Sequence, residues 1–326
     1  MSKAAGYGLG SSASNGAVSL GGAVALDGAL DDPTAGAVLG HALAKSSEKF
    51  LVNDAAAGRG DTGVPLGGGG LDDETERVHD SRVALRRMRS NLRTFRLLVD
   101  PAWGTSLRAE LAWYADRLGE TRDLHVLRDR VSEAGENVVE DDELESILLI
   151  IDNSIESASA GVDDVRGGER HARLTKEILR ACQDPPFTDK AERPADLVMG
   201  PLLKRTWHDV RGAARLARKK PTDDHLHKLR IRLKGLRYGA ETVALVDGAP
   251  ARKTARAVET LQVRLGDLHD VSVSRAWLAT LADERPELAE SAGHLSAFEE
   301  AAAAGIRKGW RKELKEVERR WRRWQD

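Results

Sequence analysis

One eleven-residue pattern occurs twice in this chain, and the repeat constrains everything else about its fold. His79-Asp80-Ser81-Arg82-Val83-Ala84-Leu85-Arg86-Arg87-Met88-Arg89 aligns with His227-Lys228-Leu229-Arg230-Ile231-Arg232-Leu233-Lys234-Gly235-Leu236-Arg237, 148 residues later. His, Arg, a base and Arg recur in register. A second pattern follows each copy: Arg117-Leu118-Gly119-Glu120-Thr121-Arg122-Asp123 aligns with Arg264-Leu265-Gly266-Asp267-Leu268-His269-Asp270, 147 residues apart. Two patterns in the same order at nearly equal spacing mark a chain of two related halves, 33–183 and 184–326.

Both halves read as helical. Ala, Leu, Arg and Glu dominate, apolar residues recur every three to four positions, and no run of β-branched residues alternates. Pro185, Pro186, Pro194, Pro201, Pro221, Pro250 and Pro286 fall between these stretches, where helices begin or end. The fold class is all-α, with room in each half for a bundle of about four helices. Residues 1–32, rich in Gly, Ala and Ser, and the glycine-rich 58–70 read as flexible segments.

On a helical wheel, His79, Arg82, Arg86, Arg89, Arg93 and Arg96 share a sector about 100° wide, while Leu85, Met88, Leu92, Phe95 and Val99 form the core-facing side. In the second copy His227, Arg230, Lys234 and Arg237 share one face and Leu229, Leu233 and Leu236 the other. The formal net charge of −2 conceals this segregation. Residues 97–165 hold 17 acids and 5 bases, and residues 201–239 hold 12 bases and 3 acids. Like charges stacked along a helix face repel one another, and a solubilising face would intersperse acids. An anionic partner relieves the repulsion. Lys45 and Lys49 on the first helix, Lys204, Arg205 and His208 opening the second half, and Arg311 and Lys315 near the C-terminus sit at helical spacing and are expected to point the same way. So is Arg122 of the second motif.

The residue types narrow the anion. Arginine presents paired donors suited to phosphate oxygens, and rows stepping one helical turn at a time match a chain of phosphates. Single-strand nucleic-acid binders interleave aromatic platforms with their cations, and only 4% of these residues are aromatic. One cysteine, Cys182, rules out a disulfide framework and Cys-based zinc clusters. The longest apolar run, Ile147 to Ile151, is far short of a bilayer span, and the N-terminus lacks the pattern of a secretion signal. The expectation is a soluble, cytoplasmic protein that binds inorganic polyphosphate, with no membrane association and nucleic acid disfavoured.

The duplicated H-x-x-R-x-x-[LM]-[RK]-x-[LM]-R helix followed by L-G-x-x-R-D resembles the CHAD domain, the conserved histidine α-helical domain, over residues 33–326. The resemblance implies two four-helix bundles related by a pseudo-twofold axis, a basic central groove or pore, polyphosphate binding without catalysis or cofactor, and an association with polyphosphate granules. It also implies a polyphosphate-metabolising enzyme acting in trans, since such domains often follow a triphosphate-processing domain that has no room here. The chain departs from strict repetition where His269 replaces Arg122 and Gly235 replaces Arg87.

Other readings exist for single residues. The His79-Asp80 and His269-Asp270 dipeptides suggest a metal-dependent phosphohydrolase, but their counterparts carry Lys228 and Arg122, and arginine cannot ligate a metal. Asp123 and Asp270 are expected to orient neighbouring bases. His79 and His227, heading the two rows, are expected to contact phosphate and to bind it more tightly as they protonate. The apolar face Phe298, Ala302, Ile306, Trp310, Leu314, Val317, Trp321 and Trp324 is expected to bury a last bundle helix.

Overall fold

The computed structural model describes residues 32–57, 71–136 and 138–326. The expected flexible segments, residues 1–32 and 58–70, lie outside the described residues except for Asp32. Those described form nine α-helices: α1 (Ala35–Ala57), α2 (Leu71–Thr94), α3 (Pro101–Gly135), α4 (Asp141–Arg166), α5 (Glu169–Gln183), α6 (Ala195–Lys219), α7 (Asp223–Asp247), α8 (Ala249–Glu284) and α9 (Ala289–Gln325). The second half has the four helices expected of it. The first has five, because Gly167 and the extended Gly168 break the run between α4 and α5.

Local chemistry sets the helix ends. Asp100 caps α3, its carboxylate accepting from the Trp103 amide at 2.8 Å with Pro101 just inside the helix. Thr222 caps α7 in the same way. At the other end of α7 the chain turns straight into α8 through Gly248, whose φ of +62° a side chain would resist. Pro201 lies inside α6 rather than between helices. As the seventh residue of the helix it removes one bond of the ladder, the one to the Leu197 carbonyl.

Between α5 and α6, the proline-rich link is stitched to the first half. The Asp100 amide donates to the Pro186 carbonyl at 2.8 Å and the Thr188 amide to that of Leu98 at 3.0 Å, while Ala35 donates to Arg193 and Ala195 to Pro33, each at 2.9 Å. One apolar cluster runs through both halves. It takes Leu85, Met88, Leu92 and Phe95 from α2 and Leu229, Leu233 and Leu236 from α7, so the halves share a core. The distal ends of the long helices α3, α8 and α9 join α4 in a second cluster around Leu127, Ile147, Ile151, Leu278 and Leu295.

Two polar networks brace the assembly. Buried Asp54 of α1 accepts from the Tyr114 hydroxyl at 2.6 Å and pairs with His171 of α5 at 2.9 Å, with Arg166 at 3.5 Å. Buried Glu299 of α9 receives a two-pronged bond from Arg130 of α3. That bond alters the expected face of α9. Trp310, Leu314, Val317 and Trp321 are buried as expected, but Phe298 is 46% exposed and Leu295, Glu299 and Ala303 are buried in its place. Among the described residues no helix is long and apolar enough to cross a membrane.

Candidate functional site

Helices α2 and α7 pack against each other with small residues at the crossing. A methyl group on Gly239 would lie 2.5 Å from Leu203 of α6 and 3.3 Å from Thr94 of α2, so only glycine permits the approach. One turn earlier Gly235 faces Thr206 and Ser90. Without side-chain bulk there, a cavity of about 490 Å³ opens between α2, α6 and α7, with the edge of α3 closing it. Eight cationic side chains line it: Arg82, Arg86, Arg89 and Arg93 from α2, Arg96 from the turn after it, Arg205 from α6, and Arg232 and Lys234 from α7. Asp116 and Asp209 are the lining carboxylates. Arg232 comes within 4.0 Å of Asp209 and Arg82 pairs with Asp123 at 2.9 Å. Among the described residues, Arg86, Arg89, Arg93, Arg96, Arg205 and Lys234 have no such partner.

The two sequence motifs meet in the same manner in each half, which accounts for their spacing. Arg82 crosses α3 at Gly119, where a Cβ would stand 3.0 Å from its Nη2, and Arg230 crosses α8 at Gly266, with the corresponding distance 3.5 Å. A glycine at that point lets a guanidinium lie flat on the neighbouring helix. One turn on, Asp123 binds Arg82, and Asp270 and Asp123 exert attraction on Arg230. Arg122 donates through Nε to His79 Nδ1 at 3.4 Å, and the His227 and His269 rings lie 4.4 Å apart.

Around Arg86, Arg230 and Lys234 the electrostatics are those of crowded cations partly removed from water, while Arg89, Arg93, Arg96 and Arg205 are exposed. Burial, reinforced by Arg86, Arg230 and Arg82, pushes the Lys234 ammonium down to about 6. Burial also lowers Arg86 and Arg230, with repulsion from Arg82 adding to both, and it lowers Arg93, where Arg232 adds. The histidines are depressed by burial and then by neighbouring cations: His79 by Arg122, His227 by Arg230, and His269, down to about 4, by Arg230 and His227. These rings are neutral in the free protein at neutral pH. Burial raises Asp267 and Asp270 against the pull of nearby arginines.

Of the residues expected from the sequence, the structure brings Arg82, Arg86, Arg89, Arg93, Arg205 and Lys234 into the cavity. Arg230 lies directly behind, close enough to repel Arg86 and Lys234, and His79, Arg122 and His227 continue the seam towards the starts of α2 and α7. Others lie outside the lining. Arg237 is held by Glu241 at 2.8 Å and by Glu259 of α8 at 2.6 Å, so its row does contain an acid at the i+4 position. Lys49 pairs with Asp80 at 2.8 Å, Lys45 and Lys204 are exposed, and Arg311 lies over the Trp310 ring with Lys315 exposed one turn on. Helix α9 packs along α8, which turns the Arg311 and Lys315 row away from the cavity. Arg232, missed by the wheel, and Ser90, Thr206 and Tyr238 complete the wall. Among the described residues no three His, Cys, Asp or Glu side chains converge to hold a metal ion.

The family model described as CHAD domain matches residues 68–279. A solved structure of the CHAD domain from the plant Ricinus communis is similar at 21% identity and a TM-score of 0.68, covering 88% of this chain and 94% of that one. PptA from Streptomyces chartreusis is similar at 18% identity and a TM-score of 0.65, covering 87% of this chain and 99% of its own. No curated protein matches the chain.

Proposed function

Because the chain belongs to the CHAD-domain family and gathers eight cationic side chains at one cavity, we propose that it binds inorganic polyphosphate there without turning it over. The observation that carries this reading is the imbalance of the lining, eight cations against two carboxylates, with six of the cations lacking any carboxylate partner among the described residues. Phosphate oxygens supply the missing acceptors, and arginine forks engage them two at a time. Tyr238 is the single aromatic residue of the wall, and it is buried, so no platform for stacked bases accompanies the cations. The phosphohydrolase alternative needs a metal; Asp123 and Asp270 lie beside His269, but among the described residues no three such side chains converge to hold one. Binding without chemistry suits an adaptor that brings its carrier to polyphosphate granules in the cytoplasm, beside an enzyme acting in trans.

Retention on immobilised polyphosphate across a salt series tests the reading. If about six phosphates are neutralised, log affinity falls against log salt with a slope of about 4 to 5, by the counterion argument used for nucleic acids. Replacing Arg82, Arg86, Arg230 and Lys234 together with alanine should keep helical circular dichroism and abolish retention. Retention unchanged in that variant, or displaced equally well by RNA of equal charge, would overturn the proposal. Phosphate release that requires added Mn²⁺ or Mg²⁺ would instead favour the enzyme.

A further inference from the structure

We infer that the groove between α3 and α4 seats an amphipathic helix of a partner protein, one with an apolar stripe, Lys or Arg along its edges and a carboxylate opposite Arg117. The duplication shows where the space comes from. In the second half α9 packs along α8 and clasps the motif arginine Arg264, which lies under Gly309, a Cβ there standing 2.7 Å from the guanidinium, and donates to Glu313. The first-half counterpart, 147 residues earlier, is Arg117 of α3. Helix α4 follows α3 as α9 follows α8. It is tied to α3 near the hairpin, where Leu144 packs over Gly135 and Arg128 binds Asp152, and at its far end Arg166 reaches Asp54 at 3.5 Å. Between these ties α4 turns Ser154, Ser157, Ala158 and Gly161 towards α3, side chains too short to bridge the gap, and a groove of about 870 Å³ remains. Arg117 stands in its wall with no carboxylate partner among the described residues.

The chemistry of the groove selects the occupant. Its floor is apolar: Leu124, Ile150, Val165 and Trp277 are half-buried and Val273 is 39% exposed. Covering such a floor removes apolar surface from water. The groove follows α4 from Ile150 to Val165, about 22 Å, which matches a helix of about four turns. Its borders are acidic. Glu120 of α3 and Glu156 and Asp164 of α4 are exposed and have no basic partner among the described residues. Bases on the edges of an incoming helix meet these carboxylates, and one acid on it does for Arg117 what Glu313 does for Arg264. The same acids repel a polyanion, so this surface does not depend on the ligand of the cationic cavity. A second copy of the chain lacks the complement, because its most basic helix, α9, is already buried along Trp310, Leu314 and Val317.

The probe is a fluorescent peptide of about 16 residues with a leucine stripe, lysines on both edges and one glutamate beside the stripe, titrated into the full chain at low salt. It should bind, and a version with glutamates in place of the lysines should not. Ser157→Trp, which fills the groove from an exposed helix position, should remove binding. E156K/D164K, confined to the exposed border, should weaken it about fivefold. R117M and a glutamine for the peptide's glutamate should each weaken binding, with no further loss when combined. Retention on polyphosphate should be unchanged in every variant. Its loss together with peptide binding would merge the groove with the cavity and overturn the proposal. Failure of wild type to bind the lysine peptide, or equal binding by wild type and Ser157→Trp, overturns it too. So does a wild type that sediments as a dimer where Ser157→Trp is a monomer, which gives the groove to a second copy.

Discussion

Lys234→Met removes an ammonium from the centre of the cluster and keeps an apolar stem of similar length. In the free protein this ammonium is pushed down to about 6 by burial and by Arg86, Arg230 and Arg82, whereas an unfolded lysine titrates near 10.4. Between those values the unfolded chain holds a proton that the folded chain has released. Wild-type stability therefore rises with pH across that window, and at pH 7 the lysine is a burden on the fold. The full offset corresponds to about 5 kcal/mol at pH 7, and solvent reaching a partly exposed side chain reduces it to about 2 kcal/mol. K234M should melt about 4 °C higher than wild type at pH 7 and converge with it towards pH 10. Polyphosphate reverses the order, because its charge restores the proton. At pH 7.5 the free Lys234 is then mostly uncharged, so wild-type binding should take up a proton there. Calorimetric titration in buffers of different ionisation enthalpy counts that proton, and K234M should lose it. If K234M is no more stable at pH 7 and proton uptake is unchanged, Lys234 keeps its charge in the fold and the cluster is internally compensated.

Three further perturbations separate the site from its scaffold. Gly119→Ala sets a methyl 3.0 Å from the Arg82 guanidinium, whereas Gly266→Ala leaves 3.5 Å to Arg230; the first should weaken polyphosphate retention with no loss in melting temperature, since alanine is the better helix former, and the second should be spared. Equal retention by both would dismiss the packing argument. Glu241→Gln releases Arg87 and loosens Arg237, so chemical unfolding should report a loss of about 1–3 kcal/mol while the salt slope of retention steepens by roughly one for each cation freed. Asp54→Ala strips the acceptor shared by Tyr114, His171 and Arg166 and should cost about 3–5 kcal/mol, with retention intact below the melting transition. Burial opposes ionisation of Asp54, but bonds from His171 and Tyr114 outweigh it and hold the carboxyl below its ordinary range. Its stabilisation is complete above the unfolded value near 3.9 and is lost as the pH falls through the depressed one, which acid titration of wild type against the variant measures.

The α2 half of the site was legible because periodicity and burial coincide there: Arg82, Arg86, Arg89 and Arg93 face the cavity, and Leu85, Met88 and Leu92 fill the core beneath. On α7 the same reasoning selected the wrong edge of the stripe. Ile231, Gly235 and Tyr238 flank Lys234 on the lining face, while Arg237 is drawn aside by Glu241 and by Glu259, a residue of another helix that no local pattern announces. Arg232 was missed because the wheel places it about 140° from His227, off the basic row. It lines the wall because the crossing of α2 over Gly235 opens space on that side. The Asp54 network was equally illegible, since α1, α3 and α5 each contribute single residues to it. The L-G dipeptides were visible as repeats, but their purpose, seating an arginine on a neighbouring helix, is a tertiary fact.

The chain has no shortage of acids with which to neutralise its arginines: 52 Asp and Glu accompany 50 Lys and Arg. Away from the cavity they do so. Arg128 meets Asp152, Arg170 meets Glu110, Arg130 meets Glu299, and Arg307 meets both Glu300 and Asp223. Around the cavity the same composition leaves Arg86, Arg89, Arg93, Arg205 and Lys234 without carboxylates among the described residues, so the deficit is positional. Random placement of surface charge would pair some of them, and selection for stability alone would pair the buried ones first, since an uncompensated buried cation is among the more destabilising features a core can carry. The fold instead fixes the backbones of these groups on helices whose apolar faces are packed, with Arg86 and Lys234 drawn inwards and Arg89, Arg93 and Arg205 exposed at the rim. A bound anion relieves the repulsion within such a cluster, and a polymer of closely spaced negative charges relieves several cations in one binding event where separate small anions would each surrender their own translational freedom.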